Sequence, residues 1–490
     1  MITISKEIIK KQPNFWNNCL FHPTDAVEDS WGKRILDRIS EDKAADMVRI
    51  YAMLEDIVLM DEDGNLTYDF RVNDLRLDYL HEKGFRILIA YGMMPECIAK
   101  DPKIISPKIR YKGKDMITSP PKTPELWEEV CYQYTKHIVE RYGIDTVSTW
   151  RMQCFNEPDW KNFFMSNLEQ GDNDPRLEEY KVMYAAFAKG TKRVSEKVQI
   201  GGPSLARDMD FFRKFLTFVK ENNIPQDFIS VHNYGTGPEG MNDGTKPINV
   251  ENNIVKMKSY LSIIDEVGLS DKKVIVDEWG GAGGGFMDIK YAPGMIFRET
   301  EVYASYFTKL IARSIEEKFP IEKMLICLSG QNEKFVTEDF TGFRNFFTLN
   351  FIAKPIYNAY VMSGRLKENL LSYSKENENI YVIPTKAENG YSIMLTYSND
   401  LFEEIIPELD EKVVFEENLV GKNVTVYCID REHTNPFRVY ENQGTKTPNE
   451  EQLRELRAAG KLVNLYEGVL DSNEITLKLT ANCTYLIEVK

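Results

Sequence analysis

Long apolar segments are missing from this chain of 490 residues. No stretch approaches the roughly 20 apolar residues that a membrane-spanning helix needs. The amino terminus, MITISKEIIKKQPNFW, also lacks the uninterrupted apolar core of a signal peptide. We therefore expect a protein of the cytoplasm with no membrane partner.

Basic residues are in deficit. Lys and Arg number 61 against 76 Asp and Glu, which gives a formal net charge of −15. Nucleic acids and anionic membranes bind clustered Lys and Arg, and a strongly acidic chain is repelled by both. This balance argues against a nucleic-acid partner and favours a neutral ligand.

Cysteine and histidine patterns typical of metal sites are absent from the sequence. The five histidines show no HExxH spacing. The seven cysteines are odd in number and form no CxxC pair: Cys19, Cys97, Cys131, Cys154, Cys327, Cys428 and Cys483. We expect reduced, mostly buried thiols, with neither a disulfide framework nor a bound metal.

Glycine-rich phosphate loops are also lacking. The sequence contains no GxGxxG turn and no P-loop. The run GGAGGG at 280–285 has no helical pattern directly behind it. We interpret it as a flexible active-site loop, because phosphate binding usually needs a helix amino terminus next to the glycines.

What the chain does contain is a repeated alternation of short apolar strands with segments of helical period. The eight predicted strands are NCLF (18–21), MVRIYAM (47–53), FRILIAYG (85–92), TVSTWRMQCF (146–155), VQIGG (198–202), FISVHNY (228–234), KVIVDEW (273–279) and KMLICLSG (323–330). Eight strands, each followed by a helix, predict an α/β protein with a closed (β/α)8 barrel. From periodicity alone, a doubly wound parallel sheet is the alternative to the barrel.

The pattern changes after residue 364, where short strand-like runs separated by turns indicate a smaller β-sandwich. We predict a catalytic barrel over 16–364 and an accessory β-sandwich over 365–490. The strand within 1–15 is too short to stand alone and is expected to join the sandwich.

One helix of the second domain has well-marked ends. In TPNEEQLRELRAAG, Thr447 is the predicted N-cap, Pro448 the first helical residue and Glu450 the partner in a capping box. Gly460 is predicted to end the helix.

Two glutamates follow apolar strands. Glu157 lies in FNEPDW, where Pro158 ends the fourth strand, and Glu278 lies in KVIVDEWGG at the end of the seventh. In a (β/α)8 barrel both carboxylates would face the same mouth. Two carboxylates across a sugar are the minimum apparatus for cleaving a glycosidic bond. A solvated surface turn is the alternative for an isolated NEP sequence.

Polar residues near the other strand ends fit that chemistry. Asn156 is a candidate donor to a sugar hydroxyl, His232 and Tyr234 are candidates to orient the second carboxylate, and Arg49 is a candidate to keep Glu278 ionised. Each also has a structural interpretation. His232 would then be a hydrogen-bonded core histidine, Tyr234 a packed aromatic and Arg49 the partner of a structural aspartate.

The residues on either side of Glu278, Asp277 and Trp279, are predicted to have different roles. Asp277 should point away from the site if the strand alternates regularly. Trp279 is a candidate substrate-binding residue.

These residues belong to a longer pattern that resembles glycoside hydrolase family 39, particularly its β-xylosidase branch. The matching segments are NFWNNC, VRIY, YGMMPECIA, FNEPDWKNFF, VQIGGPSLA, DFISVHNYG, VDEWGG and IDREHTNPFRVYENQGTKTPNEEQLRELRAA. The resemblance implies a (β/α)8 barrel with a β-sandwich and hydrolysis with net retention and no cofactor. It also implies that Glu157 is the acid/base, Glu278 the nucleophile and Asn156 the contact to the sugar's 2-hydroxyl, and it matches His232 and Tyr234 to the family's strand-six pair.

The chain departs from the family pattern at three places. Tyr51 replaces a histidine that is common on strand two, and FHPTD replaces a glycine-rich turn and brings in His22. After strand eight, CLSGQNEK leaves Glu333 as the candidate acidic sugar contact. We expect these changes to bear on which sugar is bound and to leave the cleavage chemistry intact.

The sequence therefore predicts a retaining exo-glycosidase that removes terminal β-D-xylosyl residues from short oligosaccharides. Alternatives are a family member for a β-glucoside, β-galactoside, α-L-arabinoside or uronide, a carbohydrate-binding pseudoenzyme, or a structural barrel. The linkage, the preferred chain length and a homo-oligomeric state stay open.

Overall fold

The computed structural model of the protein describes residues 1–22, 24–111, 114–169, 174–236, 248–284, 287–330, 336–400 and 406–490. Its strands are β1 (Ile2–Lys11), β2 (Asn18–His22), β3 (Met47–Tyr51), β4 (Val58–Met60), β5 (Leu66–Tyr68), β6 (Arg86–Tyr91), β7 (Ile105–Tyr111), β8 (Lys114–Ile117), β9 (Arg151–Cys154), β10 (Ile200–Leu205), β11 (Phe228–Thr236), β12 (Lys273–Ala282), β13 (Ile321–Ser329), β14 (Asn369–Lys375), β15 (Ile380–Ala387), β16 (Gly390–Tyr397), β17 (Leu409–Phe415), β18 (Asn423–Ile429), β19 (Val463–Val469), β20 (Glu474–Leu479) and β21 (Cys483–Val489). Its α-helices are α1 (Ser30–Glu41), α2 (Arg71–Glu82), α3 (Pro124–Tyr142), α4 (Ile144–Val147), α5 (Arg176–Lys192), α6 (Met209–Glu221), α7 (Val250–Val267), α8 (Glu301–Glu316), α9 (Pro355–Ser363), α10 (Pro436–Gln443) and α11 (Glu450–Ala459).

Eight parallel strands close into a barrel in the order β2, β3, β6, β9, β10, β11, β12 and β13, with β13 pairing back onto β2. Each of the eight predicted strands supplies one of them, so the predicted barrel is confirmed. The strands are buried on both faces, which explains why they are nearly continuous apolar runs in the sequence. Helices such as α1, which buries Ile35, Leu36 and Ile39, cover the outside.

The start of the fourth barrel strand differs from the prediction. The segment from Thr146 was predicted as strand because of its β-branched and aromatic residues, but Ile144–Val147 is helical and the strand begins at Arg151. Val147 donates its backbone N–H to the carbonyl of Gly143, and Trp150 donates to Val147. This local hydrogen bonding outweighs a weak strand propensity.

Within the described residues, the sheet of the second domain has nine strands in the order β19-β18-β21-β16-β15-β14-β1-β17-β20. They surround a separate apolar core that includes Ile393, Val426 and Ile487. Strand β1 lies between β14 and β17, so the amino terminus is part of this sheet. The predicted combination of a barrel with a C-terminal β-sandwich is thus confirmed, and the numerical domain limits remain a prediction.

Helix α11 shows how capping was misjudged from the sequence. Its N-cap is Asn449 and not Thr447, and Gln452 closes the capping box in place of Glu450. Asn can satisfy the first free N–H groups as well as Thr does, so the helix starts two residues later than predicted. Gly460 is the C-cap, as predicted.

Charged contacts join the two domains. Lys309 on α8 forms a buried ion pair of 3.0 Å with Asp400 of the second domain. Asp400 also accepts the backbone N–H of Val250 at the start of α7. Because both charges are buried and paired, removing either one would leave an uncompensated charge at the domain boundary.

The cysteines are mostly buried, as the sequence predicts. All seven cysteines are free thiols; six are buried and Cys97 is partly buried. Among the described residues, no helix combines the length and the apolar character that crossing a bilayer requires.

Candidate active site

The loop after β9 holds Glu157 in an unusual backbone conformation. Phe155 and Glu157 both have positive φ, at 62° and 45°. Such values are costly for residues with a Cβ atom and persist where the surroundings impose them. Glu157 donates its N–H to the carbonyl of Ser204 at 3.1 Å and accepts from the N–H of Trp160 at 3.0 Å. This strained turn aims a buried carboxylate, with 7% of the residue exposed, into the barrel.

The loop is further fixed by Asp159, which the sequence reasoning missed. Its carboxylate accepts three backbone N–H groups, from Ala206, Arg207 and Asp208, at 2.8 to 2.9 Å. These groups follow β10, so Asp159 ties the ends of two neighbouring barrel strands together. The position of Asp159, two residues after Glu157, is the feature of the sequence that could have identified it.

Strand β12 presents two consecutive acids to the barrel interior. Val231 of β11 pairs with Val276, but the next residue, His232, pairs with Glu278, so Asp277 is an extra residue in the ladder. Such a bulge interrupts the alternation of side chains. The prediction that Asp277 points away from the site is therefore wrong.

Asp277 lies among the polar groups behind Glu278. It accepts a hydrogen bond from the Ser204 hydroxyl at 2.6 Å and lies 3.3 Å from an Arg49 nitrogen. His232 Nε2 is 3.5 Å away. Asp277 is completely buried, so it balances the buried cations and does not face a ligand.

Arg49, on β3, connects Glu278 with Asn156, the residue directly before Glu157. Its Nη1 donates to Glu278 Oε1 at 2.9 Å, and its Nη2 donates to Asn156 Oδ1 at 2.6 Å. With its oxygen occupied, Asn156 has an amide nitrogen that is buried and has no hydrogen-bond partner among the described residues. Arg49 thus orients that amide nitrogen as an unused donor beside Glu278.

His232, on β11, lies between the two glutamates. Its Nδ1 is 2.8 Å from Glu157 Oε1 and 3.5 Å from Glu278 Oε2. Its Nε2 is 2.9 Å from the Ser204 hydroxyl. Burial disfavours the imidazolium, yet the negative charges of Glu278 and Asp277 raise the pKa of His232 to about 10. The protonated ring then donates to Glu157 and Ser204.

Tyr234 lies on β11, as His232 does, and contacts Glu278 on the neighbouring strand β12. Its hydroxyl donates to Glu278 Oε2 at 2.9 Å and accepts from Arg344 Nη1 at 3.0 Å. Because an arginine cannot accept, the tyrosine proton is directed towards the carboxylate. Arg344 is a further residue that the sequence reasoning missed; it follows the eighth strand in the segment FRNFF.

The surroundings therefore shift the pKa values of the two glutamates in opposite directions. Burial would raise the pKa of Glu278, but the charges of His232 and Arg49 hold it well below its ordinary value. Burial raises the pKa of Glu157 above its ordinary value; the charge of Glu278 adds to this shift and His232 opposes it. One carboxylate is kept ionised and the other is biased towards its protonated form, which is the division of roles that acid/base and nucleophilic catalysis require.

The rim residues His22 and Tyr51 lie side by side. Their ring centroids are 5.5 Å apart in an edge arrangement, and Phe163 is 6.5 Å from His22. The Tyr51 ring lies 5.2 Å from the Arg49 guanidinium, and its buried hydroxyl has no hydrogen-bond partner among the described residues. The structure thus brings both predicted rim residues next to the carboxylates. The other rim candidate, Glu333, lies outside the described residues.

Trp279 does not line the site. It is fully buried and stacks on Phe307 of α8 at 5.7 Å, between the barrel and its outer helices. After the bulge at Asp277 the alternation resumes, so the residue following Glu278 points outward. The prediction of Trp279 as a substrate contact is corrected accordingly.

The first part of the glycine-rich segment, predicted as a loop, continues strand β12. Strand β12 continues through Ala282, and a Cβ atom on Gly280 would lie 3.2 Å from the Tyr234 ring. The buried Arg298 donates to the carbonyl oxygens of Ala282, Gly283 and Gly284. Gly280 therefore makes room for Tyr234, and Arg298 holds the backbone of residues 282–284.

Two clusters in the described residues have the composition of metal ligands. One is Glu157, His232 and Glu278, whose ligand atoms lie within 4.8 Å of one another, and the other is Cys428, Asp430 and His433 in the second domain. In the first cluster, His232 and Glu157 are joined by a hydrogen bond. In the second, the His433 ring is hydrogen bonded to Asp430. Both sets of polar atoms thus have partners within the protein.

A closed barrel with two buried glutamates of opposite pKa shift at its fourth and seventh strand ends is the arrangement of a glycoside hydrolase. The glycosyl hydrolases family 39 model matches residues 2–466, and the chain belongs to this family. The resemblance seen in the sequence is thereby confirmed.

Individual relatives agree with this family. A β-xylosidase of Caldicellulosiruptor saccharolyticus is 26% identical over 491 aligned positions, covering 95% of this chain and 93% of the relative. An α-L-iduronidase of Canis lupus familiaris is 25% identical over 213 positions, 39% of this chain and 28% of the relative. The crystal structure of a monomeric β-xylosidase from Caulobacter crescentus CB15 has a TM-score of 0.85 and 19% identity, covering 100% of this chain and 99% of that one. At that identity the likeness shows the fold.

Proposed function

We propose that the protein is a retaining exo-glycosidase that hydrolyses terminal β-D-xylosyl residues of short oligosaccharides. The observation that carries the proposal is that Glu157 and Glu278 both contact Nδ1 of His232. One carboxylate oxygen of Glu157 therefore lies within 4.8 Å of one carboxylate oxygen of Glu278. Retaining enzymes separate their carboxyl groups by roughly 5 to 5.5 Å, whereas inverting enzymes leave about 6.5 to 9.5 Å for a water. The narrow spacing supports a covalent intermediate.

In the first step, Glu278 attacks the anomeric carbon. The bond from that carbon to the leaving oxygen breaks as Glu157 gives its proton to this oxygen, and a glycosyl ester forms on Glu278. The charges of Arg49 and His232 support this role because they keep the nucleophile ionised. Asn156 is proposed to donate its unused N–H to the sugar's 2-hydroxyl.

In the second step, Glu157 acts as a base. It takes a proton from water while the water oxygen attacks the anomeric carbon, and the ester bond to Glu278 breaks. The configuration is then retained, and both carboxyl groups return to their starting protonation states. The reaction needs no further reactant besides water.

The choice of β-xyloside rests on the relatives. The Caldicellulosiruptor relative aligns over nearly the whole of both chains, so the comparison covers the barrel and the sandwich together. Tyr51 and His22 are the proposed readers of the sugar, since they lie beside the carboxylates at positions where the chain departs from the family pattern. The unpartnered Tyr51 hydroxyl supports a contact to a sugar oxygen.

A uronide is the second candidate, and Arg344 is the observation that favours it. Its guanidinium lies 3.0 Å from the Tyr234 hydroxyl, which itself touches Glu278. A cation so close to the site would suit a sugar carboxylate. The partial match to an α-L-iduronidase points the same way.

A panel of aryl glycosides separates the candidates. We expect the highest kcat/KM on the β-xyloside, with the β-glucoside, β-galactoside, α-L-arabinoside and α-L-iduronide at least about tenfold lower, because a site that hydrogen bonds particular hydroxyls rejects other sugars. Proton NMR of the first-formed sugar should show the β-anomer. Preference for the iduronide would replace the xyloside assignment, and the α-anomer from a β-xyloside would refute retention.

A further inference from the structure

A cleft of about 660 Å³ lies on the outside of the barrel, away from the two glutamates. Its walls come from α1, from the chain segment after β13, from α9 and from the end of α11. It therefore opens where the barrel meets the second domain. Its volume is within the range of roughly 300 to 1,000 Å³ that is usual for small-molecule sites.

The charge of this cleft is opposite to that of the protein. Five basic side chains line it against three acidic ones, although the whole chain has a net charge of −15. The acids already have partners. Asp42 accepts from Arg38 at 2.8 Å and from the Tyr357 hydroxyl, and Asp37 pairs with Lys83 at 2.6 Å. Glu41 lies 3.7 Å from Arg38. The acidic wall is thus largely neutralised by its own neighbours.

Four cations in the cleft have no such compensation. Among the described residues, Arg34, Arg365, Arg457 and Lys461 form no ion pair. They come from three separate parts of the fold. Arg34 lies on α1, Arg365 lies two residues after the end of α9, and Arg457 and Lys461 lie at the end of α11 and just beyond it. Bringing like charges together in a concave surface costs electrostatic free energy, which a bound anion would offset.

Three of the four guanidinium and ammonium groups are held in place. The Arg34 guanidinium lies 3.8 Å from the Phe351 ring centroid and that of Arg365 lies 4.7 Å from the Tyr427 ring. Arg457 donates its Nε to a backbone carbonyl at 3.2 Å. These contacts orient the guanidinium groups and leave terminal nitrogens for a ligand. A planar guanidinium presents paired N–H groups that match phosphate and carboxylate oxygens.

Recognition in this cleft is by charge more than by stacking. Phe351 is packed on Phe347 with ring centroids 4.4 Å apart and is also covered by Arg34, so it offers no free platform for a neutral sugar. We propose that the cleft binds a small oligoanion carrying phosphate or carboxylate groups. This site is independent of the glycosidase proposal and does not involve Glu157 or Glu278.

Calorimetric titration of the full chain at low and at physiological ionic strength tests the proposal, with sodium pyrophosphate as the phosphate probe and trigalacturonate as the carboxylate probe. We expect at least one probe to bind with one site per chain, more weakly at the higher salt. The double variant Arg365→Gln/Arg457→Gln should weaken that affinity by about tenfold or more, since two charge-assisted contacts are lost. Binding of pyrophosphate alone identifies a phosphate ligand, and binding of trigalacturonate alone identifies an acidic sugar.

Matched controls keep the test specific. Lys214→Gln removes an exposed cation on α6 and should change the affinity by less than about twofold. Glu278→Gln should bind the probe as the wild type does, which separates the cleft from the active site. If the double variant unfolds, Arg34→Gln/Lys461→Gln, on the exposed side of the cleft, takes its place.

Three results would overturn the proposal. Neither probe binding the wild-type protein at millimolar concentration would do so, as would equal weakening by Lys214→Gln. A third is a concentration-dependent dimer that the double variant disperses, because the cleft would then be an interface between copies of the chain.

Discussion

The substitution Arg49→Gln tests how the protein keeps its proposed nucleophile ionised. Arg49 donates to Glu278 Oε1 at 2.9 Å and is completely enclosed, with 1% of the residue exposed. A hydrogen bond to a charged group contributes roughly 1.5 to 3 kcal/mol, and one pKa unit corresponds to about 1.36 kcal/mol. Loss of Arg49 should therefore raise the pKa of Glu278 by about 1 to 2 units.

The sign of the effect on activity follows directly. The folded protein holds the pKa of Glu278 below its ordinary value, so the wild-type enzyme keeps an ionised nucleophile into acidic solution. Raising that pKa means that protonation inactivates the variant at a pH where the wild type still works. The acidic limb of kcat/KM should move upward by about 1 to 2 pH units, since this limb reports the free enzyme's essential base.

An activated aryl β-xyloside is the substrate of choice, because its leaving group needs little help from Glu157. Arg49→Lys should give a smaller shift, since the charge is kept and the fork is lost. Arg86→Gln removes a partly exposed arginine that pairs with Asp46 and should leave the profile unchanged. Thermal unfolding must also be recorded, because Asp277 loses a buried partner and stability should fall by roughly 3 to 5 kcal/mol. An acidic limb that stays in place in a folded Arg49→Gln protein would refute this reasoning.

Three further substitutions test other parts of the account. Glu157→Ala should slow substrates with poor leaving groups far more than activated aryl glycosides, and azide should restore turnover as a β-glycosyl azide; rescue of Glu278→Ala instead, with none at position 157, would reverse the assignments. Tyr51→His should change the ratio of kcat/KM between xylosides and other glycosides by about tenfold, roughly the 1 to 3 kcal/mol carried by altered contacts, whereas an equal loss on all sugars would mean that Tyr51 only supports the site. Trp279→Phe should lower the free energy of unfolding by about 1 to 3 kcal/mol in chemical denaturation and leave KM within about twofold, because the ring packs against Phe307; a large rise in KM with unchanged stability would return Trp279 to the substrate site.

The barrel and its two glutamates were readable from the sequence for a physical reason. Parallel strands buried on both faces are continuous apolar runs, and the residues that end them lie at one mouth of the barrel. That logic placed Glu157 and Glu278 without any knowledge of side-chain contacts. It also picked out Arg49, His232 and Tyr234 as polar residues on those strands.

The remaining features depend on details that a linear pattern does not encode. The bulge at Asp277 turns that side chain inward and accounts for the error there, whereas Trp279 faces outward simply because it follows Glu278 in the regular alternation. Ser204 joins Arg49, His232 and Asp277 only because its strand closes the barrel beside them. Contacts of this kind connect residues that are distant in sequence, so the three-dimensional structure is needed to find them.

The hydrogen-bond partners of individual polar side chains were the hardest feature to predict. Arg344 stands in a segment without periodicity, and its contact with Tyr234 spans 110 residues of sequence. The hydrogen bond from His232 to Glu157 was likewise unforeseen, since orientation of the second carboxylate was predicted instead. In both cases the residue type indicated a polar role, but the sequence did not reveal which residue it would contact.

Mass spectrometry of a trapped intermediate tests the central claim most directly. After reaction with an activated 2-deoxy-2-fluoro-β-xyloside, which slows release of the ester more than its formation, the intact protein should gain one sugar. Trypsin should then place that sugar on the peptide from Val274 to Lys290, at Glu278. A label on Glu157, or hydrolysis without any label and with inversion at the anomeric carbon, would contradict the account.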